Sequence, residues 1–510
     1  MKKSDNKEKQ QSTSKLLKCI SILYGIIFVV VLFLLFFISG VDYHLKRRFI
    51  LSNIISIIPI IGIFILFYKT IKKEDISDTK YKKILALIFV LTAIIQIILI
   101  LNIYFYTDWD VKVVRGLVNK YLSTGNLKDE FYLSIYPNNI LLVGILALIK
   151  KIPFIGNYYI TTLIFNSQCV NIAGMLTSLT IKNMHSKKAG LLCYLVMAPL
   201  TLLSPWIVIP YTDTIALLFT SMLIYLYTKN NRKKIDYFFI GLVSMLGYYI
   251  KPTVIIILIA IAIVEGILII NKKFFTIIKD RIKIIGIFII GVFFAVLVNN
   301  SAKIFLKFEP VTYIRPFSFV HYLAMGQNND TLGAYSQSDV DDTINIGQKN
   351  DIYKFKDRLL NRSFKQQIVF FTKKTLLNFN DGSFCWGLDG TFFYKKTKPK
   401  NGFSRFLRQI YYGDGKYFDW FIQIQNYIWL TVLFFMPWII KKENNKKEYV
   451  LMLSIIGLIL FLTIFEPRTR YMYCYSNIYI IVAILGIYNL KELIASKKGT
   501  QLKKIKKIKK

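Results

Sequence analysis

The chain has 510 residues, of which 54% are hydrophobic, and its mean hydropathy is +0.45. Soluble domains are usually about 45–50% apolar, so a single water-soluble core does not account for this composition. The formal charge of +38 would suit a nucleic-acid binder, but no basic face with interleaved aromatic residues stands apart from the apolar segments, which argues against that class.

Apolar stretches of about 18–23 residues recur along the chain, and each is long enough to cross ~30 Å of hydrocarbon. The first, from Cys19 to Ser39, is longer than the apolar part of a signal peptide and has no small-residue cleavage site after it, so we expect an uncleaved span. The predicted spans are 19–39, 49–68, 84–105, 136–150, 157–181, 189–204, 206–227, 235–250, 252–271, 284–305, 426–440, 449–465 and 471–490. The sequence therefore predicts an all-α, polytopic membrane protein with about 12–13 transmembrane helices.

Lysine and arginine crowd one set of connections, and positive charge is retained on the cytoplasmic side of a membrane. We therefore expect these connections, and both termini, to be cytoplasmic and to contact anionic lipid head groups: 69–83, 182–188, 229–234, 272–283 and 441–448. The remaining long connections then face outward: 106–135, 205–213, 306–425 and 466–470.

Two places conflict with this topology. The outward turn after the first span carries Lys46, Arg47 and Arg48, against the positive-inside rule. Between 106 and 182 the chain must cross an odd number of times, yet there are two apolar segments. We interpret 136–150 as re-entrant or interfacial, which is tolerated where protein or a water-filled cavity covers the backbone.

The chain divides into five parts on this basis. The long outward segment is rich in aromatic residues, so we expect a folded subdomain of helices lying on the membrane and not a disordered linker. The parts are an N-terminal tail with two spans (1–83), a transmembrane core containing the acidic loop 106–135 (84–305), the outer subdomain (306–425), the C-terminal spans (426–490) and a basic cytoplasmic tail (491–510).

The outward loop after the third span begins with two carboxylates, Asp108 and Asp110, just above the membrane. A carboxylate at a hydrocarbon boundary is suited to act as a general base, because partial desolvation raises its proton affinity. The alternative is that one of them simply caps the following amphipathic helix.

The same loop ends in Tyr136-Pro137-Asn138-Asn139. Pro137 restricts Tyr136 to extended backbone. The two asparagines can then present donors and acceptors to a sugar or phosphate at the mouth of a span, or they can cap a helix.

Cations interrupt the apolar sequence at two further outward positions. Lys251 precedes Pro252 between two spans, and Arg468 and Arg470 lie in Glu466-Pro467-Arg468-Thr469-Arg470-Tyr471. Charge at a membrane break is costly unless it has a partner or water. These side chains could bind an anionic group, or they could snorkel to the interface.

Several site classes lack support in the sequence. The three histidines, His44, His185 and His321, are scattered, and the five cysteines show no metal-ligand spacing. No Walker-type or dinucleotide-binding glycine pattern is present, so nothing indicates an ATP-driven mechanism.

Together, the order of these motifs resembles the GT-C class of glycosyltransferases. Asp110, followed by Val113 and Val114, resembles the acidic loop of protein O-mannosyltransferases and aminoarabinose transferases. The turn at 136–139 resembles their His/Tyr-Pro-Pro turn, and Pro210-Tyr211-Thr212-Asp213 resembles their later Pro-Asp element. The chain departs from these families where Asp-Trp-Asp replaces their Asp-Glu pair and where asparagine replaces the second proline.

The resemblance implies transfer of a sugar from a polyprenyl-phosphate donor to a cell-envelope glycan, lipid or protein on the outer face of the membrane. It implies Asp110 or Asp108 as the base, with substrate contacts from Tyr136, Asn138, Asn139, Asp213, Lys251, Arg468, Arg470 and Tyr471. Lys251 and the two arginines would hold the donor phosphate, and a divalent metal bridging Asp213 to the donor is left open, with no other cofactor implied.

Two other functions stay open: a transporter or flippase, and a polymerase or ligase, of polyprenyl-linked glycans. A transporter should place paired ionisable groups in the middle of the bilayer. Asp108, Asp110 and Asp213 instead lie near one predicted face, with Glu265 as the main exception inside a span. This placement favours an enzyme over a carrier. Polymerases and ligases are distinguished mainly by using arginine and histidine without an acidic base.

Overall fold

The described part of the chain is almost entirely helical. The computed structural model describes residues 2–38, 75–152, 158–270 and 274–508, with five isolated positions between 55 and 65. The predicted span 49–68 lies almost wholly outside the described residues, as do His44, Lys46, Arg47 and Arg48. Within the described ranges, the predicted all-α architecture is confirmed.

The bundle and its connections contain α1 (Lys2–Phe33), α2 (Asp78–Ile103), α3 (Trp109–Thr124), α4 (Phe131–Ile135), α5 (Asn139–Lys150), α6 (Tyr158–Met184), α7 (Lys187–Met197), α8 (Thr212–Thr228), α9 (Lys234–Ile250), α10 (Ile255–Ile270) and α11 (Phe274–Phe305). The segment that follows contains α12 (Phe319–Gly326), α13 (Gln337–Asn345), α14 (Gln348–Leu360), α15 (Phe364–Phe379) and α16 (Gly402–Tyr411). The chain then returns to the bundle through α17 (Phe418–Phe435), α18 (Lys446–Ile464) and α19 (Ser476–Ile508).

Six described helical segments are long and apolar enough to cross a membrane: Lys15–Ile38, Asp78–Ile103, Pro252–Ile269, Ile282–Phe305, Lys446–Ile464 and Thr469–Ser496. Helices α5 and α8 are apolar but shorter. The predicted span 206–227 is helical from Thr212 only, because Pro205 opens a separate 3₁₀ turn (Pro205–Val208) and Pro210 precedes the helix.

Side-chain caps define several helix starts. The Ser77 hydroxyl accepts a hydrogen bond from the Lys80 amide at the start of α2. Asn445 caps α18, and the Glu448 carboxylate accepts in return from the Asn445 amide at 2.9 Å. These bonds satisfy amides that have no partner within the helix.

The backbones of helices α9 and α11 lie so close together at Gly241 and Gly291 that a side chain would not fit there. A Cβ atom built on Gly241 would lie 2.2 Å from the Phe288 carbonyl oxygen, and one on Gly291 would lie 2.0 Å from the Phe238 carbonyl oxygen. Small residues permit such backbone contact, which is a common way for helices to associate in membranes.

The connections gather at two opposite ends of the bundle. At one end, called here the loop face, segments 106–135, 205–213, 306–425 and 466–470 meet through the contacts of Asp110 with Tyr211 and of Arg470 with Asp213 and Asp389. At the other end, the lysine face, Lys187 bonds to Asp75 and Lys447 to the Thr228 carbonyl. The two predicted sets of connections are therefore separated as the lysine distribution predicts.

Helix α5 has both of its ends against segment 106–135. At its start the Asn139 amide group donates to the Tyr132 hydroxyl, and at its end the Lys150 ammonium donates to the Asn119 side chain. Its 12 residues span only about 18 Å, less than a hydrocarbon core. Both of its ends therefore contact segment 106–135 at the loop face.

The segment 306–425 is packed onto the loop face. Its strand β4 (Lys395–Lys396) pairs antiparallel with β1 (Phe105–Tyr106), and β3 (Phe308–Glu309) pairs parallel with β2 (Leu127–Lys128). Phe105 is fully buried among aromatic rings of this segment, with the Trp386 ring at 5.8 Å and the Phe393 ring at 4.8 Å. The aromatic residues thus form a packed core above the bundle.

Candidate functional site

Asp110 lies in the first turn of α3 at the loop face and is half-buried. Its Oδ2 atom accepts a hydrogen bond of 3.2 Å from the Tyr211 hydroxyl, which is held immediately before α8. The contact joins two predicted motifs that are 101 residues apart in sequence.

Asp108 occupies a different environment. It stands at the N-cap position of α3, yet its side chain makes no cap hydrogen bond. Its carboxylate instead forms an ion pair of 3.0 Å with Lys112, and its side chain is 33% exposed. The helix-cap alternative is therefore wrong for Asp108, and Asp110 is the carboxylate that faces the other motifs.

Trp109, between the two carboxylates, has a backbone φ of +43°. A bulky residue rarely adopts this left-handed conformation, which costs roughly 1–3 kcal/mol and is found mainly at functional sites. The indole contacts the Tyr211 ring edge-on at 5.4 Å, and the Arg470 guanidinium lies 4.5 Å from its centre. Trp109 thus packs between the acidic loop and the arginine motif.

Asp213 is the centre of a buried charge cluster. It is 1% exposed and lies in the first turn of α8. Lys251 Nζ donates to its Oδ1 atom at 2.6 Å, and Arg470 Nε lies 3.8 Å from its Oδ2 atom. Neither that Oδ2 atom nor that Nε atom has a hydrogen-bond partner within the described residues.

Asp389, which was not predicted from the sequence, completes the cluster. Arg470 Nη1 donates to its Oδ2 atom at 2.8 Å, and Arg468 Nη1 lies 3.4 Å from its Oδ1 atom. Asp389 is held in a short turn between Gly387 (φ 81°) and Gly390 (φ 56°). The glycine-flanked aspartate was the only sequence signal, because left-handed backbone favours glycine.

Glu466 provides a further carboxylate beside the arginines. The Tyr471 hydroxyl donates to its Oε1 atom at 3.1 Å, and Arg468 Nε lies 4.0 Å away. Burial raises the pKa of the Glu466 carboxyl, while the charges of Arg468 and Arg470 oppose that rise. Lys251 Nζ lies 4.1 Å from the centre of the Tyr471 ring, so Tyr471 contacts both the acid and the cation.

The turn at 136–139 lies beside the site. Tyr136 is half-buried and meets the Phe317 ring edge-on at 5.5 Å. Asn138 precedes α5 without making a side-chain cap bond, and Asn139 is 2% exposed with its Oδ1 atom unpartnered among the described residues. Tyr136 lies near Asp110. Asn139 lies further from Asp110 and is hydrogen-bonded to Tyr132.

Tyrosines surround Asp110 on the side facing segment 306–425. Burial, followed by the charge of Asp110, raises the pKa of Tyr132 well above its usual value. Burial, then the charges of Glu466 and Asp110, likewise raises the pKa of Tyr322. Burial, then the charges of Asp110, Asp341 and Glu466, raises the pKa of Tyr335, which is 44% exposed. No sequence pattern distinguished Tyr322 and Tyr335.

The arrangement links a half-buried carboxylate to the buried cations through Tyr211 and Trp109. Every predicted cation is paired: Lys251 with Asp213, and Arg468 and Arg470 with Asp389. Arg468 has the longest contacts, at 3.4 Å and 4.0 Å. Among the described residues, no three histidine, cysteine, aspartate or glutamate side chains are grouped to hold a metal ion.

Comparison with known proteins identifies the family of the chain. No curated protein and no solved structure matches the chain. A family model described as "Conserved hypothetical integral membrane protein" matches residues 11–490 of the 510. The predicted multi-pass membrane class is thereby confirmed, and the chain belongs to this family of conserved hypothetical integral membrane proteins.

Proposed function

We propose that this protein is a GT-C-like membrane glycosyltransferase that transfers a sugar from a polyprenyl-phosphate donor to a cell-envelope acceptor. One observation carries the proposal. Asp110, which is half-buried and accepts from Tyr211, lies at the same face as the buried cluster of Lys251, Arg468 and Arg470. A base and a set of phosphate-binding cations are the two parts that the reaction needs.

The chemical step is a single displacement. The acceptor hydroxyl oxygen attacks the anomeric carbon of the donor sugar as its proton passes to Asp110. The bond between that carbon and the phosphate oxygen breaks, and the phosphate leaves with the electron pair. Preorganised cations next to the leaving group stabilise the charge that builds there, most strongly where water is excluded.

Arg468 and Arg470 suit the leaving phosphate better than Lys251 does. Arg468 makes only long contacts, and the Nε atom of Arg470 is not hydrogen-bonded. A guanidinium can offer a phosphate two parallel hydrogen bonds. Lys251 is hydrogen-bonded to Asp213 at 2.6 Å. It can contact a phosphate only if this hydrogen bond is broken. In the resting arrangement it positions Asp213, which in turn faces Arg470.

The position of Glu265 favours an enzyme over a transporter. Glu265 lies at the lysine face, where Lys446 pairs with it at 2.9 Å and Arg232 lies 3.8 Å away. It therefore does not supply the ionisable pair at the middle of the bilayer that a transporter needs. The acidic base next to the cations also favours transfer from a phosphate donor over a polymerase or ligase.

Replacing Asp110 by asparagine tests the proposal, because this keeps the shape of the side chain and removes the proton acceptor. With a radiolabelled polyprenyl-phosphate hexose and a cell-envelope fraction in proteoliposomes, we expect Asp110→Asn to transfer about 10²–10⁴-fold more slowly. Asp108→Asn is the matched control and should keep most of the activity, because Asp108 pairs with Lys112 at the edge. Unchanged transfer by Asp110→Asn, with the unmodified protein active, would overturn the mechanism.

The proposal also places the loop face outside the cytoplasm. An impermeant maleimide applied to intact cells should label Asn345→Cys, on an exposed site of α13, and not Lys442→Cys at the lysine face. Cys19 is the exposed native cysteine among the described residues, so both variants are made in a Cys19→Ser background. The reverse labelling pattern would invert the topology.

A further inference from the structure

A second group of cations lines a pocket beside α3. The pocket lies between α3, α5 and α6; its interior of about 20 Å³ holds one oxygen-sized group, and it opens outward. The walls are apolar and consist of Val111, Val114, Val118, Leu146 and Pro210. Four polar or charged side chains also line the pocket: Arg115, Lys150, Tyr159 and Thr162.

Arg115 enters this pocket without a carboxylate partner. Its guanidinium lies 4.7 Å from the centre of the Tyr106 ring and 5.7 Å from that of Tyr159. Its Nη1 atom is buried and has no hydrogen-bond partner in the described part of the chain. A buried donor without an acceptor is costly, so this atom favours binding of an acceptor group in the pocket.

Lys150, at the end of α5, adds a second positive charge. Its ammonium group donates to the Asn119 side chain, which is neutral. No carboxylate of the described residues lies within ion-pair distance of Lys150 or Arg115, although other loop-face cations such as Lys112 and Lys120 have such partners. Two positive charges that share one partly buried pocket repel each other, and an anion between them removes that cost.

The chemistry of the pocket selects a phosphate attached to a hydrocarbon chain. Arginine offers a fork to phosphate oxygens and lysine a point charge. The valine, leucine and proline side chains around the two cations suit the apolar part of a lipid next to its phosphate, because apolar groups lose free energy when they leave water. The pocket also adjoins the proposed catalytic group, because Pro210 precedes Tyr211, which donates to Asp110.

We propose that Arg115 and Lys150 bind the phosphate group of an anionic lipid in this pocket. The site is separate from the Arg468 and Arg470 cluster, and its existence does not depend on glycosyl transfer. A lipid bound here would fix α3 against α5 and α6, and so hold the helix whose first turn contains Asp110.

Native mass spectrometry of the full-length protein tests the site, with phosphatidic acid and phosphatidylcholine as probes. We expect phosphatidic acid to bind the unmodified protein and Arg115→Gln/Lys150→Gln to bind it at least tenfold more weakly, since both charge-assisted hydrogen bonds to the phosphate are lost. Lys151→Gln is the matched control, because Lys151 faces the rings of Tyr121 and Phe305 and not the pocket. Asp110→Asn should bind the lipid normally, which separates this test from that of the glycosyltransferase mechanism.

Three outcomes decide the proposal. Competition by inorganic phosphate at micromolar concentration would show that free phosphate, and not a lipid, is the ligand. Equal binding of phosphatidylcholine, or equal loss in Lys151→Gln, would overturn the site as a specific one. If the double variant does not fold, Lys150→Gln alone is tested instead, because Lys150 is the last residue of its helix and its partner is neutral. An unchanged lipid affinity in Lys150→Gln would also overturn the proposal.

Discussion

The two ends of the bundle use ion pairs in different ways. At the loop face the Lys251 and Asp213 side chains are 9% and 1% exposed, and those of Arg470 and Asp389 are 10% and 7% exposed. At the lysine face the Lys446 and Glu265 side chains are 38% and 17% exposed, and the Lys441 side chain that pairs with Glu448 is 41% exposed. Lys446 and Lys441 reach water, whereas Lys251 and Arg470 of the loop-face cluster do not.

The difference indicates what each set of charges contributes. Exposed pairs gain about 0–1 kcal/mol and are screened by salt. Buried pairs lose hydration that their mutual attraction offsets only in part, and apolar residues of similar volume would often be as stable. The loop-face cluster is therefore poorly explained by stability alone, which is consistent with a binding or catalytic role.

The largest effect on stability is expected when a loop-face pair is broken on one side only. Asp389→Ala leaves the Arg470 guanidinium buried, with Asp213 at 3.8 Å as its nearest remaining acid. We expect the free energy of unfolding to fall by about 3–5 kcal/mol, measured by denaturant unfolding in detergent micelles.

Asp414→Ala is the matched control for Asp389→Ala. Asp414 also lies in segment 306–425 and pairs with Lys396 at 2.6 Å, but its side chain is 70% exposed. Its loss should be below about 1 kcal/mol. Equal losses in the two variants would mean that burial does not separate the two kinds of pair.

A second prediction compares the histidines of the two faces. Burial lowers the pKa of His321 to about 4, although the charge of Asp339 opposes this. Since the unfolded histidine titrates near 6.5, only the unfolded state takes up this proton between pH 6.5 and pH 4. The free energy of unfolding should therefore fall by about 3 kcal/mol as the pH drops through that window.

His321→Gln should remove this acid sensitivity, and unfolding curves at a series of pH values would measure it. His185→Gln, at the lysine face, is the control: burial also lowers the pKa of His185, but by less than that of His321, so removing it should change the pH profile much less. Asp351, which faces His321 at 3.9 Å, stays in both variants. An unaltered profile in His321→Gln would show that other groups cause the acid sensitivity.

The smallest effect is expected at the lysine face. Lys446→Ala removes an exposed partner of Glu265, which keeps the Tyr227 hydroxyl at 3.2 Å and Arg232 at 3.8 Å. We expect a loss below about 1 kcal/mol, and less still at 0.5 M salt. A loss as large as that of Asp389→Ala would remove the contrast between the two faces.

The sequence predicted the helices better than it predicted the site. Length and apolarity alone identify a span, because the bilayer imposes both. Asp110, Asp213 and Arg470 were also predicted as site residues, since a charged residue that interrupts apolar sequence is easily recognised. Asp389 was missed because it lies in a long connection and reaches Arg470 across 81 residues. Asp108 and Asp110 have different partners because the backbone of Trp109 between them is left-handed. No local sequence pattern predicts that conformation.

The contact between Asp389 and Arg470 limits how the chain can be dissected. Segment 306–425 resembles an insertion that could be deleted or transplanted, yet it supplies a counter-ion to an arginine of the last span. Excision would remove that counter-ion, so the bundle alone is not an independent unit. A protease nick at the exposed residues 398–400 should instead leave two fragments that copurify. The smallest fragment worth expressing is therefore one that retains this segment.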